Sequence, residues 1–254
     1  MLICCKTAGI AATLQLLNPP NTGYTEGGVY TSPYNIGVDG TPTQLICDDF
    51  TTDISIGESW VTTATTLTTI NSTTVAGLKF DDSSYGPILG GIGDVVQDYA
   101  IAAVLASQLL ALPNTDSANA GALSFALWDV FDSTLLGSSY ASMSDSYGPI
   151  TSAQWSAAFT DLTNAITVVD GVITGGSAAG TLNSAELISG GSVNLSSLGI
   201  SSLTAYTPTP NAGVAQEFLR VTTPEASTAV LLAVDLLGFM ALVVFLRKRI
   251  SPRV

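Results

Sequence analysis

Cys47-Asp48-Asp49-Phe50 places a thiol directly before two carboxyls, the densest group of reactive side chains in the chain. What the sequence lacks limits their chemistry. No histidine occurs anywhere, which removes the usual zinc sites, the Ser-His-Asp triad and the Cys-His dyad together. A G-x-S-x-G elbow and a Gly-rich phosphate loop ending in Lys are missing too. Asp48-Asp49 and Asp81-Asp82 offer oxygen ligands to calcium, the one cofactor the sequence suggests, but without EF-hand spacing. Neighbours on a strand point to opposite faces, so each pair gives one ligand per face, and solvated surface carboxylates are the plainer reading. Two carboxylates also suit a glycosidase, for which Glu26, Glu58 or any aspartate qualifies, and nothing selects a pair. Trp60, Trp128 and Trp155 suit core packing better than sugar stacking, since two of them sit in apolar helical stretches.

The three cysteines divide between the amino terminus and position 47. Cys4 and Cys5 lie in an apolar amino-terminal stretch with one lysine and small residues (Ala8, Gly9, Ala11, Ala12). It resembles a secretory signal in which the charge, Lys6, follows Leu2-Ile3. We read residues 1–12 as a truncated signal and the neighbourhood of Thr13 as the mature start. Cys47 is then alone, so no disulfide framework holds residues 13–222, which are long enough to bury a core without one. With Leu45 and Ile46 beside it, Cys47 is expected to be a free, buried thiol on a core strand.

The elements that must position these groups read as α+β: a β-rich amino-terminal part, central helices, then carboxy-terminal strands. Residues 24–78 are rich in Thr, Val, Ile and Tyr, without a helical period. Asp39-Gly40 is a hairpin turn, and SWVTTATTLTTI a β-branched strand. Asp94 caps a helix that ends before Pro113-Asn114, and a second starts at Ser117. A third follows Pro149, with Trp155, Phe159, Leu162, Ile166 and Val169 forming one apolar stripe. Short strands return after Gly180, Tyr206 to Pro210 reads as a loop, and Gln216 to Val221 as the last strand. Ser84-Tyr85-Gly86-Pro87-Ile88 recurs as Ser146-Tyr147-Gly148-Pro149-Ile150, a turn leading into a helix each time.

Charge and hydropathy divide the chain. Of the 20 acidic residues, 18 lie between Thr13 and Thr222, opposed only by Lys79 and Arg220. Such a surface argues against nucleic acid, whose binding depends on Lys and Arg meeting phosphates. Residues 227–246 are apolar, and as a helix they rise about 30 Å, enough to cross the bilayer core. Arg247-Lys248-Arg249 follows, and the positive-inside bias keeps that cluster cytoplasmic and the rest of the chain outside.

Pro224, Glu225, Ser227 and Thr228, the span and Arg247-Lys248-Arg249 together resemble the PEP-CTERM sorting signal of Gram-negative bacteria, here residues 223–254. The resemblance implies export to an exosortase, a membrane protease that processes the tail. Ala226 departs from the family's second proline, and Asp235 sits mid-span, at a cost of about 2.5–3.5 kcal/mol on insertion scales. Gly28, Tyr30, Pro33-Tyr34, Gly40, Cys47-Asp48-Asp49-Phe50, Gly57, Trp60, Ala126-Leu127-Trp128 and Gln216-Glu217-Phe218 are similar to a group of uncharacterised PEP-CTERM proteins. A more distant likeness is to the thioester domains of adhesins, in which a Cys and a Gln condense into an amine-capturing electrophile. Cys47 and Trp128 fit that pattern, but Ser124 stands where it places the glutamine, and a serine cannot form the bond, so these three positions are expected to be vestigial and the scaffold a non-covalent binder. Gln97, Gln154 and Gln216 lack a tryptophan at the required spacing. The resemblances imply a non-enzymatic protein of the cell surface, extracellular matrix or biofilm, adhesive or structural, with exopolysaccharide as a candidate partner. A secreted carbohydrate-active enzyme using a carboxylate pair is the alternative.

With its tail intact the chain is expected to fractionate with membranes, and deletion of residues 224–254 to release soluble protein. A reporter fused after Thr222 that reads as cytoplasmic contradicts the orientation.

Overall fold

The computed structural model describes residues 9–18, 25–26, 29–50, 52–81, 94–113, 116–137, 151–182, 184–209 and 215–224. The chain forms two compact units, Met1–Thr222 and Thr223–Val254. Of the second unit only Thr223 and Pro224 are described. The apolar span, the sorting-signal residues from Glu225 onward, Asp82 and both copies of the Ser-Tyr-Gly-Pro-Ile sequence lie outside the described residues.

Strands come first: β1 (Ile10–Asn18), the short β2 (Thr25–Glu26) and β3 (Val29–Tyr30), β4 (Tyr34–Val38), β5 (Thr41–Cys47), β6 (Ser59–Leu67) and β7 (Thr69–Asn71). Helices α1 (Val95–Ala111), α2 (Ser117–Phe131), α3 (Thr134–Gly137) and α4 (Ser152–Asp170) follow. Then come β8 (Ser177–Leu182), β9 (Ala185–Ser189), β10 (Ser192–Asn194), β11 (Ser202–Pro208) and β12 (Phe218–Thr222). The two strand-rich ends of this unit make one object, a closed barrel in the order β1-β4-β5-β12-β11-β6 with every neighbour antiparallel. Closure leaves no barrel edge free to pair with another chain.

Period-two alternation decides which side chains fill it. On β1, Ala12, Leu14 and Leu16 are buried while Ala11, Thr13 and Gln15 are exposed. With Tyr34, Ile36, Leu45, Cys47, Tyr206 and Phe218 they form the barrel interior. The opposite face of β5 and β12 presents Ile46, Leu219 and Val221 to the larger core built by the helices. Helix α1 is buried all round from Val96 to Ala106, the pattern of a central helix rather than a surface one. The α4 stripe lies as the sequence implies, with Leu162, Ile166 and Val169 at 0% exposure and Trp155 stacked on Phe159 at 5.8 Å.

The local signals agree with the fold. Asp39 (φ 48°) and Gly40 (φ 81°) make the two-residue turn joining β4 to β5. Both dihedrals are positive, as the twist of an antiparallel pair favours. Asp94 caps α1 by accepting the Val96 N–H at 3.0 Å. Thr151 and Gln154 form a capping box on α4.

Two expectations require correction. Tyr206-Thr207-Pro208, read as a loop, ends strand β11 opposite β6. Its proline is tolerated because the ladder skips that nitrogen and resumes at Thr209, whose N–H meets the Val61 carbonyl at 2.9 Å. The last strand starts at Phe218, so Gln216 and Glu217 precede it. Apart from these two, strand β1 covers Ile10–Asn18, with Ile10 opposite Ala64.

A Cβ built on Gly40 meets nothing within 4 Å, so Gly40→Val tests the backbone alone. It is expected to cost about 1–2 kcal/mol in denaturant unfolding, the penalty of a left-handed L-residue. An unchanged midpoint contradicts the turn geometry.

Candidate functional site

Strands β5 and β12 pair over two positions, Ile46↔Leu219 and Cys47↔Phe218. Where that short ladder runs out, the next residue on each side is a carboxyl, Asp48 after β5 and Glu217 before β12. Both are 0% exposed, and Asp49 is 1% exposed. Three acids are thus sealed at one seam of the barrel.

Glu217 is the best-solvated of them, by protein groups instead of water. Its Oε1 accepts the Tyr99 hydroxyl at 2.6 Å, and its Oε2 accepts the Lys79 N–H at 3.0 Å and the Thr207 hydroxyl. Among the described residues no side-chain hydroxyl or N–H meets the Asp48 carboxyl; its own backbone N–H favours the charged form, and the Glu217 carboxyl lies beside it. Two carboxyls bond to each other only when one carries a proton. Burial, then the charge and hydrogen bond of Glu217, then Asp49 push Asp48 well above the ordinary aspartate range, so Asp48 holds it. Burial also raises Glu217, while the bonds from Thr207, Tyr99, Lys79 and Asp48 act the other way. Tyr99, raised by burial and then by Glu217 and Asp48, stays a neutral donor.

Asp49 is held differently. Its Oδ2 pairs with the Lys79 ammonium, which also donates to Thr52 Oγ1 at 3.2 Å and to the Ala215 carbonyl at 3.0 Å. The calcium reading of Asp48-Asp49 therefore meets two carboxyls already engaged, by Glu217 and by Lys79. Among the described residues no three His, Cys, Asp or Glu side chains are grouped to hold a metal. Asp81 turns inward onto the Gly77 N–H. Of the glycosidase candidates, Glu58 accepts the Ser55 N–H at 2.8 Å.

The thioester-like positions do come together. Cys47 donates its N–H to Ser32 Oγ at 3.0 Å, Ser32 donates its own N–H to Ser124 Oγ at 3.0 Å, and Trp128 Nε1 donates to the Cys47 carbonyl at 3.0 Å. Ser124 and Trp128, both on α2, thereby fix the backbone of Cys47 from one side. The thiol points elsewhere. Its Sγ donates to the Asp49 carbonyl at 3.2 Å, and that same oxygen accepts Gln216 Nε2 at 3.2 Å. Gln216 Nε2 also donates to the Thr52 carbonyl, while Gln216 Oε1 is buried without a partner. Burial, then Asp49 and Asp48, raise the Cys47 thiol well above its ordinary value, so it is protonated.

Gln216 is the residue that sequence reasoning passed over. A glutamine–tryptophan spacing on one helix draws attention to position 124, whereas the glutamine beside Cys47 comes from the run into β12. Its only signal is the Gln-Glu-Phe segment, which the Cys47↔Phe218 register brings opposite Cys47-Asp48. Gln97 is committed elsewhere, to Asp170 Oδ1 at 2.8 Å, the Glu186 carbonyl at 3.1 Å and the Ile188 N–H at 2.9 Å. Gln154 belongs to the α4 cap. Pro224, the described part of the sorting signal, is exposed.

The proton on Asp48 gives stability a definite pH dependence. A free aspartate titrates near pH 3.9. With the folded value raised, the folded chain binds more protons than the unfolded one above that range. Stability is then full below the ordinary aspartate pKa and falls as pH rises toward the folded one. Burial raises Asp161 and Asp170 in the same direction, so Asp48→Asn isolates the seam. The variant, an uncharged donor to Glu217, is expected to flatten the fall in melting temperature above about pH 4. A wild-type melting temperature that climbs with pH contradicts the shared proton.

Compared with known proteins, the chain matches no protein-family model, no curated protein and no solved structure.

Proposed function

We propose that this is an exported surface or matrix protein with an adhesive role, whose reactive centre is a thioester between Cys47 and Gln216. The observation that carries the reading is the meeting of Cys47 Sγ and Gln216 Nε2 on one carbonyl oxygen, that of Asp49. The chemistry follows from those atoms. The thiol adds to the Gln216 carboxamide carbon, a C–S bond forms, the C–N bond breaks, and the nitrogen leaves as ammonia with the thiol proton. The leaving nitrogen sits against the Asp49 and Thr52 carbonyls, which accept its N–H groups. The unpartnered Gln216 Oε1 favours the product, because a thioester oxygen is a weaker acceptor than an amide oxygen and loses less when unmet. Water is kept from the bond, since Cys47 is 0% exposed, while Gln216 at 8% offers the side from which an amine approaches.

The rest of the reading concerns place and class. Residues 223–254 act as the membrane-spanning sorting signal, with 227–246 in the bilayer, Arg247-Lys248-Arg249 inside, and an exosortase-type protease as partner. Exopolysaccharide or a surface protein bearing primary amines is the binding target. Burial of Asp48 and Glu217 around one proton supports a binder over the carbohydrate-active alternative, because a glycosidase keeps its carboxyls on the substrate.

Intact mass of the denatured chain tests the centre. The expected mass change attributable to Cys47 is the loss of one ammonia, reversed by methylamine with an adduct at Gln216 and a newly alkylatable Cys47. Gln216→Ala should abolish the loss. A Cys47 that alkylates fully on unfolding, with no methylamine adduct, contradicts the thioester and leaves non-covalent adhesion.

A further inference from the structure

Lys79 and Asp49 are a second amine and carbonyl carbon held together away from water. Lys79 is 2% exposed although lysine is among the residues least often buried, and the side chains of the pair are 3% and 0% exposed. The pairing is long-range, joining the end of β5 to the segment after β7. Lys79 is fixed at both ends, its N–H on Glu217 and its Nζ on Asp49, Thr52 and the Ala215 carbonyl. Desolvating two full charges is costly even when they are paired. A covalent amide removes both charges at once. Reacting groups held in fixed contact also need no further entropy to meet.

We propose that Lys79 and Asp49 condense into an intramolecular amide, a covalent cross-link between the end of β5 and the segment after β7. Within the pair a proton passes from ammonium to carboxylate, leaving a neutral amine and a neutral acid. Lys79 Nζ adds to Asp49 Cγ and the N–C bond forms. One C–O bond of Asp49 breaks, and that oxygen leaves as water with two of the three protons the ammonium began with; the third stays on the amide nitrogen. No oxidant or external reactant enters. The cross-link is independent of the Cys47–Gln216 bond: one expels water, the other ammonia.

Trypsin reads it directly. Before residue 247 the chain has only Lys6, Lys79 and Arg220 as cleavage sites. Digestion of the denatured, full-length chain is expected to give residues 7–220 as one piece, uncut at Lys79 and one water lighter than its sequence. Any further loss of ammonia that methylamine reverses belongs to Cys47. The Asp49→Asn chain should expel ammonia in place of water and arrive at the same product mass. The Asp49→Ala chain, denatured alike, should be cut into 7–79 and 80–220. Cleavage of the wild-type chain at Lys79, or an uncut 7–220 piece with no water lost, overturns the proposal.

Discussion

Burying acids at a barrel seam is the constraint on which the rest of this structure turns. The β5–β12 ladder has two paired positions and then meets Asp48 and Glu217 face to face, with no water to solvate either. Burial raises both carboxyls and so favours a proton shared at the contact, and Glu217 is met by Tyr99, Lys79 and Thr207. Those donors come from α1, from the loop after β7 and from β11, so one carboxylate ties the helical layer to the barrel. Removing a single partner from such a buried set leaves an uncompensated charge, at a cost of about 3–5 kcal/mol. Barrel closure is thereby specified by polar groups where the backbone ladder is shortest.

The same seam creates the geometry from which the proposed centre is read. Cys47 and Gln216 lie immediately before the two carboxyls, and Asp49 follows them. Pinning Asp48 to Glu217 and Asp49 to Lys79 fixes the backbone between. The Asp49 carbonyl is then presented to both Cys47 Sγ and Gln216 Nε2. On the other side, Trp128 and the Ser124–Ser32 relay hold the Cys47 backbone from α2. A thiol kept protonated by burial, sharing one carbonyl oxygen with a carboxamide whose own oxygen is unmet, is the arrangement on which the proposed single bond change rests.

What the sequence makes legible is what its local chemistry controls. Asp39-Gly40 announces a hairpin because two positive dihedrals are needed there, and Asp94 a cap because its carboxylate meets the freed N–H groups of α1. The Trp155-to-Val169 stripe follows from a helical period. Barrel closure has no such signature: β5 and β12 are separated by the whole helical layer, and their register is fixed by contacts no window contains. For that reason Gln216 is invisible as a neighbour of Cys47. Lys79 reads as an ordinary surface charge until its burial is seen. Tyr206 to Pro208 reads as a loop because proline marks breaks, and only the pairing with β6 shows that its nitrogen faces no acceptor.

The most direct measurement is experimental electron density at the seam, from crystals grown without amines. Continuous density from Cys47 Sγ to the side-chain carbonyl carbon of Gln216, with no amide nitrogen, is the expected result. An intact Gln216 carboxamide standing apart from a free thiol would contradict the reactive centre. Separation of Cys47 and Gln216 beyond any shared contact with the Asp49 carbonyl would contradict the geometry from which that centre is inferred.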